Sequence, residues 1–485
     1  MLIAVDIGTT NIKAVALNDA GALLAQAERH NTTRSDQPGW QEQDPAHIFQ
    51  NVTAVLAETW QVVQGREILH GVVFSSAMHG LLALDDAGKP LTNILLWSDL
   101  RSSVIAGALR QQEAGLNLYS RTGVPIHAMS PLCKAIWLRQ NRPEIFKKTH
   151  LFADIKSWIW NRLTGEFACD LAVASASGLM DIRQKKWDAE ALGLAGIEEA
   201  RLPLLVAPSH TASVLNEVAG RYNLPSDVPY IIGASDGALA NIGSNATQPG
   251  QIAITIGTSA AIRMITSQAV LDESMRTFCY CVDAQRYIVG GASNNGTNVL
   301  EWLRKSVFRS SLTAAAFAEM ASEVPEGSGG LLFLPYLWGE RAPLYDAQVR
   351  GSFQNLAAQH AQPHFVRAAM EGVLFNVKII AEALEAHGPV HTLHAGGGFS
   401  RNPLWVQMLA DIFQKTVVLP DENVDASLLG AIRCAQEALK LSRQNESTLS
   451  RRIDPNTVLA SVYSNAYLEF RDRVGELKNR SLPEF

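Results

Sequence analysis

The sequence predicts an α/β protein built from two similar domains. With 485 residues, the chain is longer than one hydrophobic core normally supports. Apolar strands are followed by amphipathic helices in both halves, and one pattern occurs twice. "IAVDIGTTNIKAVAL" begins at residue 3 and "IAITIGTSAAIRMIT" begins at residue 252. A repeat at that separation indicates that the second half of the chain repeats the first.

The first half begins with strands. Residues 2–28 predict an antiparallel meander of three strands, because apolar runs alternate with turn residues. Asp44 and Pro45 are typical of the N-cap and first residue of a helix, and the apolar residues that follow recur at helical spacing. A further strand is predicted within 68–85, and helices and loops run from there to about residue 200.

The second half repeats this order of elements. Residues 229–243 predict a strand, a turn and a short helix, and residues 250–265 predict a strand, a turn and a strand. A long helix is predicted over 364–388, where a glycine followed by a proline ends it. A strand, three glycines and a helix capped by Asn402 come next.

Each copy of the repeated pattern places a glycine and two hydroxyl residues at a turn. Glycine lets a ligand approach closely, and hydroxyl and backbone N–H groups suit phosphate oxygens. Either turn alone is typical of an ordinary hairpin, but two turns facing across a cleft would hold a polyphosphate. Asp6 of the first copy is replaced by Thr255 in the second. This single carboxylate suits a Mg²⁺ ion, or else it is a strand aspartate satisfied by neighbouring N–H groups.

Asp236, in "GASDGALANIG", stands where a strand ends and a short helix begins. An aspartate in that position is commonly an N-cap. At the boundary between the halves it is also suited to act as a general base toward a substrate hydroxyl during phosphoryl transfer. The glycines of "HAGGGFSRNP" (394–403) either admit a flat ring against bare backbone or form a closely packed turn.

Composition argues against several classes of protein. Apolar residues make up 47% of the chain, charged residues 18%, and the net charge is -6, which disfavours a nucleic-acid or anionic membrane surface. We expect no membrane span and no signal peptide, because Asp6 interrupts the apolar N-terminus. The five scattered cysteines predict free thiols in a reducing cytoplasm. There is no P-loop motif.

Taken together, these motifs resemble the FGGY family of carbohydrate kinases. The two hairpin turns, the Asp236 turn and "AGGGFSRNPLWVQMLAD" occur in the family's order. "MSPLCKAIWLRQN" (129–141) is similar to the first family signature and "GSFQNLAAQHAQPHFVRAAMEG" (351–372) to the second. Ala135 and Asn355 stand where a larger apolar residue and a glycine are usual, and we expect both departures to concern packing. The resemblance covers nearly the whole chain.

The resemblance implies an α/β fold of two actin-like (ribonuclease-H-like) domains with a central cleft. The first domain, over 1–243, would bind mainly the sugar, and the second, over 244–440, mainly ATP. Residues 441–485 would form a helical tail, for which packing back on the first domain is one option.

The resemblance also implies roles for individual residues. Asp236 would be the general base and Asp6 would position Mg²⁺, while Lys13 either reaches phosphate or is a solvated lysine. ATP would be held by Thr9, Thr10, Asn11, Thr258, Ser259, Gly296, Gly397, Gly398 and Asn402, and the sugar by Ala77, Met78, His79, Asp99 and Arg101.

Several segments are most similar to the gluconate kinase branch, among them "FSSAMHG", "WSDLRS", "RTGVPIHAMSPLCK" and "LWGERAPLY". This similarity implies ATP-dependent phosphorylation of D-gluconate to 6-phosphogluconate, with xylulose or another polyol left open. A substrate carboxylate would require cationic donors. Arg101, His127, Lys134 and Arg341 are available in the matching segments, and the sequence does not choose among them.

Two other classes remain as alternatives. Actin-type and heat-shock-type ATPases share the ancestral fold but do not need "SSAMHG" or an aspartate directed at a hydroxyl. A sugar-sensing regulator is a third hypothesis, although no helix-turn-helix precedes the first strand. We expect a cytoplasmic enzyme with a small sugar or sugar-acid substrate and no nucleic-acid or membrane partner. A homodimer is left open.

Overall fold

The structure, a computed structural model, describes residues 1–420, 424–442 and 450–478. The first half is organised around a sheet of six strands: β1 (Leu2–Ile7), β2 (Asn11–Leu17), β3 (Leu23–His30), β4 (Gly71–Ser76), β5 (Thr211–Ala212) and β6 (Tyr230–Ser235). Their spatial order is β5-β6-β4-β1-β2-β3. β1 is antiparallel to β2 and parallel to β4, which is in turn parallel to β6. The predicted N-terminal meander is confirmed.

The second half is organised around a sheet of seven strands: β7 (Gln251–Ile256), β8 (Ala260–Thr266), β9 (Phe278–Cys281), β10 (Tyr287–Ser293), β11 (Thr392–Gly396), β12 (Thr416–Leu419) and β13 (Arg451–Ile453). Their spatial order is β9-β10-β8-β7-β11-β12-β13. β7 is antiparallel to β8 and parallel to β11, which is parallel to β12.

The two sheets repeat one topology. The order β3-β2-β1-β4-β6 of the first corresponds to β10-β8-β7-β11-β12 of the second, with the same parallel and antiparallel pairings. The strand at the end of each series, β5 or β13, is antiparallel to its neighbour. The repeated pattern in the sequence therefore marks the same β-hairpin in two copies of one unit.

Eight helices matter most for the site and its support: α1 (Pro45–Val63), α2 (Pro131–Asn141), α3 (Ile155–Thr164), α4 (Asp236–Gly243), α5 (Gln362–Glu385), α6 (Pro403–Phe413), α7 (Ala426–Ala438) and α8 (Ala460–Lys478). Shorter helices are Ser103–Arg110, Glu113–Thr122, Pro143–Lys148, Leu171–Ser175, Ala189–Ala195, Asn216–Tyr222, Thr297–Trp302 and Ala314–Glu319. Short strands outside the two sheets are Glu42–Gln43, Leu82–Leu84, Ile94–Leu95, Leu151–Ala153, Ala168–Asp170, Met180–Asp181, Lys186–Trp187, Leu204–Val206, Leu332–Leu334 and Ser352–Gln354. No helix within these described ranges is long and apolar enough to cross a bilayer.

Each sheet has its own hydrophobic core. In the first half, alternate residues of β1 such as Ile3 and Val5 pack with the apolar face of α1, including Val52 and Leu56. Asp44 caps α1 by accepting a hydrogen bond from the Ala46 N–H, as predicted. In the second half, α5 and α6 cover the sheet. The free energy of burying these side chains holds each half together.

The helices α4 and α7 lie between the two halves and pack on both. Leu239 and Leu428 belong to a core that includes residues of β1 and of β9. The helices touch at two glycines: a Cβ added at Gly430 would lie 1.9 Å from the Leu239 carbonyl oxygen, and one at Gly243 would lie 1.9 Å from that of Ala426. Only glycine permits so close an approach of two backbones.

The C-terminal tail packs on the second half. Tyr463, Tyr467 and Phe470 of α8 are buried in the core of the second sheet, together with residues of α5. The option that the tail packs back on the first domain is therefore wrong for this helix. Residues 443–449 and 479–485 of the predicted tail lie outside the described residues.

The departure of Asn355 from the second signature has a conformational reason. Its φ is +59°, a left-handed conformation that favours glycine and that asparagine tolerates better than most residues. The expectation that this departure concerns packing is wrong. Ala135 is fully buried in α2, where a larger residue is usual in the family.

Candidate active site

A cavity of about 720 Å³ lies between the two halves. From the first half it is lined by Asp6 at the end of β1, Lys13 of β2 and Asp236 at the start of α4. From the second half it is lined by Gly397 and Gly398, which follow β11. Two acids and two glycines, separated by up to 392 positions in the sequence, thus surround one space.

The Asp6 carboxylate is held at the cavity wall by hydroxyl groups. Ser75 donates to Oδ1 at 2.6 Å and Ser427 donates to Oδ2 at 3.4 Å. Burial, together with the negative charges of Asp236 and Asp425, raises the pKa of Asp6 to about 6 against the opposing effect of the Ser75 hydrogen bond. A carboxylate in this environment is stabilised by a cation beside it.

The donor set around Asp6 fits a hydrated Mg²⁺ ion. Within the part of the chain that the structure describes, no three His, Cys, Asp or Glu side chains are grouped to hold a metal. Mg²⁺ is usually bound through one or two carboxylates, with waters and substrate phosphates completing its shell. A site with one carboxylate open to a large cavity matches that chemistry.

Asp236 is the first residue of α4, and the N-cap position belongs to Ser235. The N-cap interpretation of Asp236 is therefore wrong. Its Oδ1 accepts a hydrogen bond from the Gly237 N–H at 2.6 Å. Burial raises the pKa of this carboxyl, and the charge of Arg263 opposes the rise, followed by those of Lys156 and Arg341.

A buried ion pair supports the turn that carries Asp236. Lys156 of α3 lies 2.7 Å from Asp170 Oδ2 and donates to the carbonyl of Ala234 at 2.9 Å. Both charged side chains are almost fully buried. Breaking such a pair is expensive, so it holds the end of β6 in one position.

The first hairpin turn has its carbonyl groups tied to the protein. Asn31 Nδ2 donates to the Gly8 carbonyl at 2.9 Å, Gln43 Nε2 to that of Thr9 at 2.5 Å, and the Asn31 N–H to that of Thr10 at 2.8 Å. Thr10 is exposed, and Thr9 and Asn11 are partly exposed. Asn11 Oδ1 lies 3.0 Å from His30 Nδ1. The tied carbonyls keep the turn rigid.

The second hairpin turn is tied to the start of the helix Thr297–Trp302. The Gly257 carbonyl accepts from the Thr297 N–H at 2.7 Å and from its hydroxyl at 2.9 Å. A Cβ added at Gly296 would lie 2.5 Å from the same carbonyl, so Gly296 packs directly on this turn. Thr258 is exposed and Ser259 partly exposed.

A second cavity, of about 880 Å³, adjoins this turn. It is lined by Thr258, by Asn402 at the N-cap of α6 and by aromatic side chains, among them Trp302, Trp338 and Trp405. Gly398 and Arg401 line both cavities, so the two cavities adjoin at these residues. An apolar, aromatic chamber joined to a polar one suits a ligand with a flat ring at one end and charges at the other.

The predicted sugar residues divide into two groups. Ala77, Met78 and His79 follow β4, and the Met78 methyl lies against Gly237, next to Asp236. His79 Nδ1 lies 2.8 Å from the Ala176 carbonyl. Burial lowers the pKa of His79 to about 3, with the charge of Lys134 adding to the effect, so the ring is neutral.

Asp99 and Arg101 have partners within the first half. The Arg101 guanidinium donates to both Asp99 oxygens, pairs with Glu42 at 2.6 Å and lies 3.8 Å from the centre of the Trp40 ring. Asp99 also accepts from the Gln41 N–H. The Asp99 carboxylate and the Arg101 guanidinium therefore have hydrogen-bond and charge partners within the protein.

Two lysines also differ from the hypotheses about them. Lys13 lines the cavity, is partly exposed and pairs with Asp425 at 2.6 Å, so it is not a fully solvated lysine, and its contact with phosphate stays a prediction. Lys134 is fully buried and donates to the carbonyls of His79 and Leu96. Burial lowers its pKa to about 7.

Sequence reasoning missed Arg263, which lines the cavity and acts electrostatically on Asp236. The available signal was an arginine within the otherwise apolar β8. It also missed Lys156, Ser75 and Ser427, whose contacts with the acids and their backbone depend on chain folding and leave no local pattern.

These features together place two partly buried acids and two adjoining cavities, one polar and one aromatic, at one cleft. Residues 1–243 match the model for the FGGY family of carbohydrate kinases, N-terminal domain, and residues 252–439 match the model for its C-terminal domain. The gluconokinase of Bacillus licheniformis is 39% identical over 442 residues, which cover 89% of this chain and 86% of that protein.

The xylulose kinase of Bacillus subtilis (strain 168) is 31% identical over 442 residues, covering 90% of this chain and 87% of that protein. The crystal structure of gluconate kinase from Lactobacillus acidophilus superimposes with a TM-score of 0.94 at 32% identity and covers 98% of both chains. The two halves are accordingly actin-like (ribonuclease-H-like) domains, as the resemblance implied. The chain belongs to the FGGY family of carbohydrate kinases and is an ATP-dependent sugar kinase.

Proposed function

We propose that this kinase transfers the γ-phosphoryl group of ATP to the terminal hydroxyl of a sugar acid, D-gluconate, and forms 6-phosphogluconate. The observation that carries the proposal is the meeting of Asp236, Asp6, Gly397 and Gly398 around one cavity. The identity to a gluconokinase, 39%, is higher than that to a xylulose kinase, 31%, and supports gluconate as substrate.

Asp236 is the general base of this proposal. Its carboxylate takes the proton from the substrate hydroxyl while the hydroxyl oxygen bonds to the γ-phosphorus and the bond to the β-phosphate oxygen breaks. Arg263 is a positioning residue, because its positive charge favours the ionised form of Asp236 and opposes the effect of burial. Lys156 fixes the strand end before the base.

ATP would lie across the two adjoining cavities. Gly397, Gly398 and Asn402 would line the adenine site with the aromatic side chains, and Gly296 would lie near the ribose. Thr9, Thr10 and Asn11 would face the phosphates from one side, and Thr258 and Ser259 from the other. Mg²⁺, held through Asp6, would neutralise phosphate charge when bound. Ala77, Met78 and His79 would contact the sugar, whereas the internal contacts of Asp99 and Arg101 favour a supporting role.

The test is a coupled assay of ADP release with Mg²⁺, ATP and a panel of D-gluconate, D-xylulose, glycerol and D-glucitol. We expect turnover that depends on sugar and is fastest with D-gluconate. Turnover of D-xylulose alone would assign the alternative substrate. A slow basal rate that no sugar stimulates would instead indicate an ATPase of the actin or heat-shock type.

We also infer domains over 1–243 and 244–440 and a cytoplasmic location. The location is supported by the cysteines: all five are free, and four of them are buried. Burial raises the pKa of Cys133 to about 11, so this thiol stays protonated and unreactive at neutral pH.

A further inference from the structure

A group of cationic and hydroxyl side chains lies around the ring of Tyr345, and neither the general base nor the nucleotide groove uses it. We define it as the Tyr345 cluster: Arg110, His127, Tyr280 and Arg341. The Arg110 guanidinium carbon lies 5.5 Å from the centre of the Tyr345 ring, and the His127 ring centre lies 6.0 Å from it. The Tyr345 N–H donates to the Arg341 carbonyl, which ties the two residues together.

The cluster contains donors without acceptors. Arg110 Nη1 and the Tyr280 hydroxyl are buried and have no hydrogen-bond partner among the described residues. Tyr280 is only 1% exposed, so its hydroxyl is shielded from water as well. Leaving such groups unpaired costs free energy, which indicates that a ligand supplies the missing acceptors.

His127 is oriented as a further donor. Its Nδ1 accepts a hydrogen bond from the Met129 N–H at 3.2 Å, so the proton of the neutral ring is on Nε2. Burial, together with the positive charges of Arg341 and Arg110, lowers the pKa of His127 to about 3. The ring therefore offers a neutral N–H.

The two arginines of the cluster are not neutralised by ion pairs. Among the described residues, no carboxylate oxygen lies within 4.0 Å of a guanidinium nitrogen of Arg110 or Arg341. Arg341 donates to Asn294 Oδ1 and to the Ser293 carbonyl, and lies 4.6 Å from the centre of the Trp97 ring.

Acids act electrostatically on the two arginines of the cluster without pairing with their guanidinium groups. Asp346 acts on Arg110 from a distance, and Glu340 acts on Arg341. Glu340 already accepts hydrogen bonds from Ser293, Asn295 and Asn376. Neither acid occupies the donors of the cluster.

The cluster lies next to His79, one of the residues predicted to contact the sugar. Arg341 acts electrostatically on both Asp236 and His79, and the Tyr280 ring centre lies 5.6 Å from that of His79. A substrate whose hydroxyl faces Asp236 would thus extend its other end past His79 toward the cluster.

We propose that the Tyr345 cluster binds the carboxylate of the substrate and thereby selects sugar acids over neutral sugars. The inference rests on the proposed function. Of the four cationic candidates named from the sequence, the proposal keeps His127 and Arg341. Arg101 and Lys134 are set aside because they donate to acceptors within the protein. The proposal adds Arg110 and Tyr280. Arginine is the side chain best suited to a carboxylate, because it presents two parallel N–H donors.

The test compares Arg110→Met with a matched control, Arg121→Met. Arg121 is a partly buried arginine of the neighbouring helix that pairs with Asp188 and Glu190, outside the cluster. For each protein, Kd is measured by calorimetry with D-gluconate and with D-glucitol, the neutral analogue, and kcat/KM is measured with D-gluconate. The KM for ATP is measured in parallel.

We expect Arg110→Met to weaken D-gluconate binding and lower kcat/KM by about 10- to 100-fold, the value of a hydrogen bond to a charged group. D-Glucitol binding and the KM for ATP should stay unchanged, and Arg110→Lys should recover part of the loss. Arg121→Met should behave as the wild type. If Arg110→Met does not fold, as judged by circular dichroism, His127→Leu replaces it with the same expectations.

An equal loss for D-gluconate and D-glucitol, or no loss, would overturn the inference while the function stands. A wild-type enzyme that phosphorylates D-xylulose and no sugar acid would overturn the proposed function, and the inference with it.

Discussion

The two hairpins, β1–β2 and β7–β8, share one backbone arrangement but not one chemistry. Each is antiparallel, each is flanked by a parallel strand, and each has a glycine and two hydroxyl residues at its turn. Asp6 precedes the first turn, whereas Thr255 occupies the corresponding position of the second. The repeated fold therefore places hydroxyl residues at both turns and a carboxylate before the first turn only.

The same asymmetry holds for the helices that follow β6 and β12. α4 begins with Asp236, which is partly buried at the cavity, whereas α7 is preceded by Asp425, whose side chain is 52% exposed and pairs with Lys13. One acid has a pKa raised by burial, and the other serves an ion pair at the surface. The comparison shows that two aspartates at the starts of corresponding helices differ in burial and in partners, which is the difference that the proposed roles require.

The largest effect should come from Asp236→Asn, which removes the base and keeps the shape of the side chain. We expect kcat to fall by about 10²–10⁴-fold, the usual contribution of a positioned base. ATP binding, measured by calorimetry, should be unchanged. A variant with normal kcat would remove Asp236 from the mechanism.

The second largest effect should be a dependence of the Mg²⁺ requirement on pH, which arises from Asp6 of the first hairpin and has no counterpart in the second. The pKa of Asp6 is raised to about 6, so the carboxylate is charged above that pH and loses its charge as pH falls through it. Mg²⁺ binds the charged form, so the Mg²⁺ concentration for half-maximal rate should rise about tenfold per pH unit below that value.

The control for this dependence is Asp6→Asn, which should require more Mg²⁺ at every pH and show a flatter profile between pH 5 and about 7. An unchanged profile in this variant would assign the titration to another group, with Asp236 the first to examine.

A smaller effect should distinguish the two turns themselves. Thr9→Val and Thr258→Val each remove one hydroxyl donor, worth about tenfold when it binds a charged oxygen. We expect Thr9→Val to lower kcat, because the first turn faces the phosphoryl group in transfer. Thr258→Val should raise the KM for ATP and the Ki of ADP together. Identical kinetics for the two variants would contradict a division of labour between the turns.

The smallest effect should come from Asp425→Asn, the counterpart of the first prediction. The pair with Lys13 is partly exposed, and such pairs contribute about 0–1 kcal/mol to the free energy of unfolding. Chemical denaturation should show a change within that range, with kcat close to that of the wild type. A large loss of kcat would mean that Lys13 needs Asp425 to orient it toward phosphate.

Local patterns made much of the fold predictable. The alternation of apolar residues predicts β1 and β2. The Asp44-Pro45 pair predicts the start of α1, and the Gly388-Pro389 pair, which follows α5, predicts where that helix ends. The packing of α8 was not predictable in this way, because its apolar face is compatible with either half. The left-handed backbone conformation of Asn355 was also not predicted, because no local sequence pattern reliably indicates a positive φ at asparagine.

The site divides along the same line. Asp6, Asp236 and the glycines after β11 could be named from their motifs, because the chemistry of phosphates demands those residue types at strand ends. Motifs could not identify Arg110, Lys156 and Arg263, because each of these side chains acts on a group that is distant in the sequence. Conversely, the motifs predict a substrate role for Asp99 and Arg101, whereas the structure shows their side chains hydrogen-bonded to each other.

The sequence by itself determined the repetition of one α/β unit, the family and the residue types at the two turns, since all of these are written in contiguous stretches. The tertiary structure alone decided which charged side chains are paired within the protein and which have donors left for a ligand. Whether Lys134 or Arg341 can reach a ligand depends on the desolvation and hydrogen-bond partners that each acquires on folding, and those depend on residues brought together from distant parts of the chain.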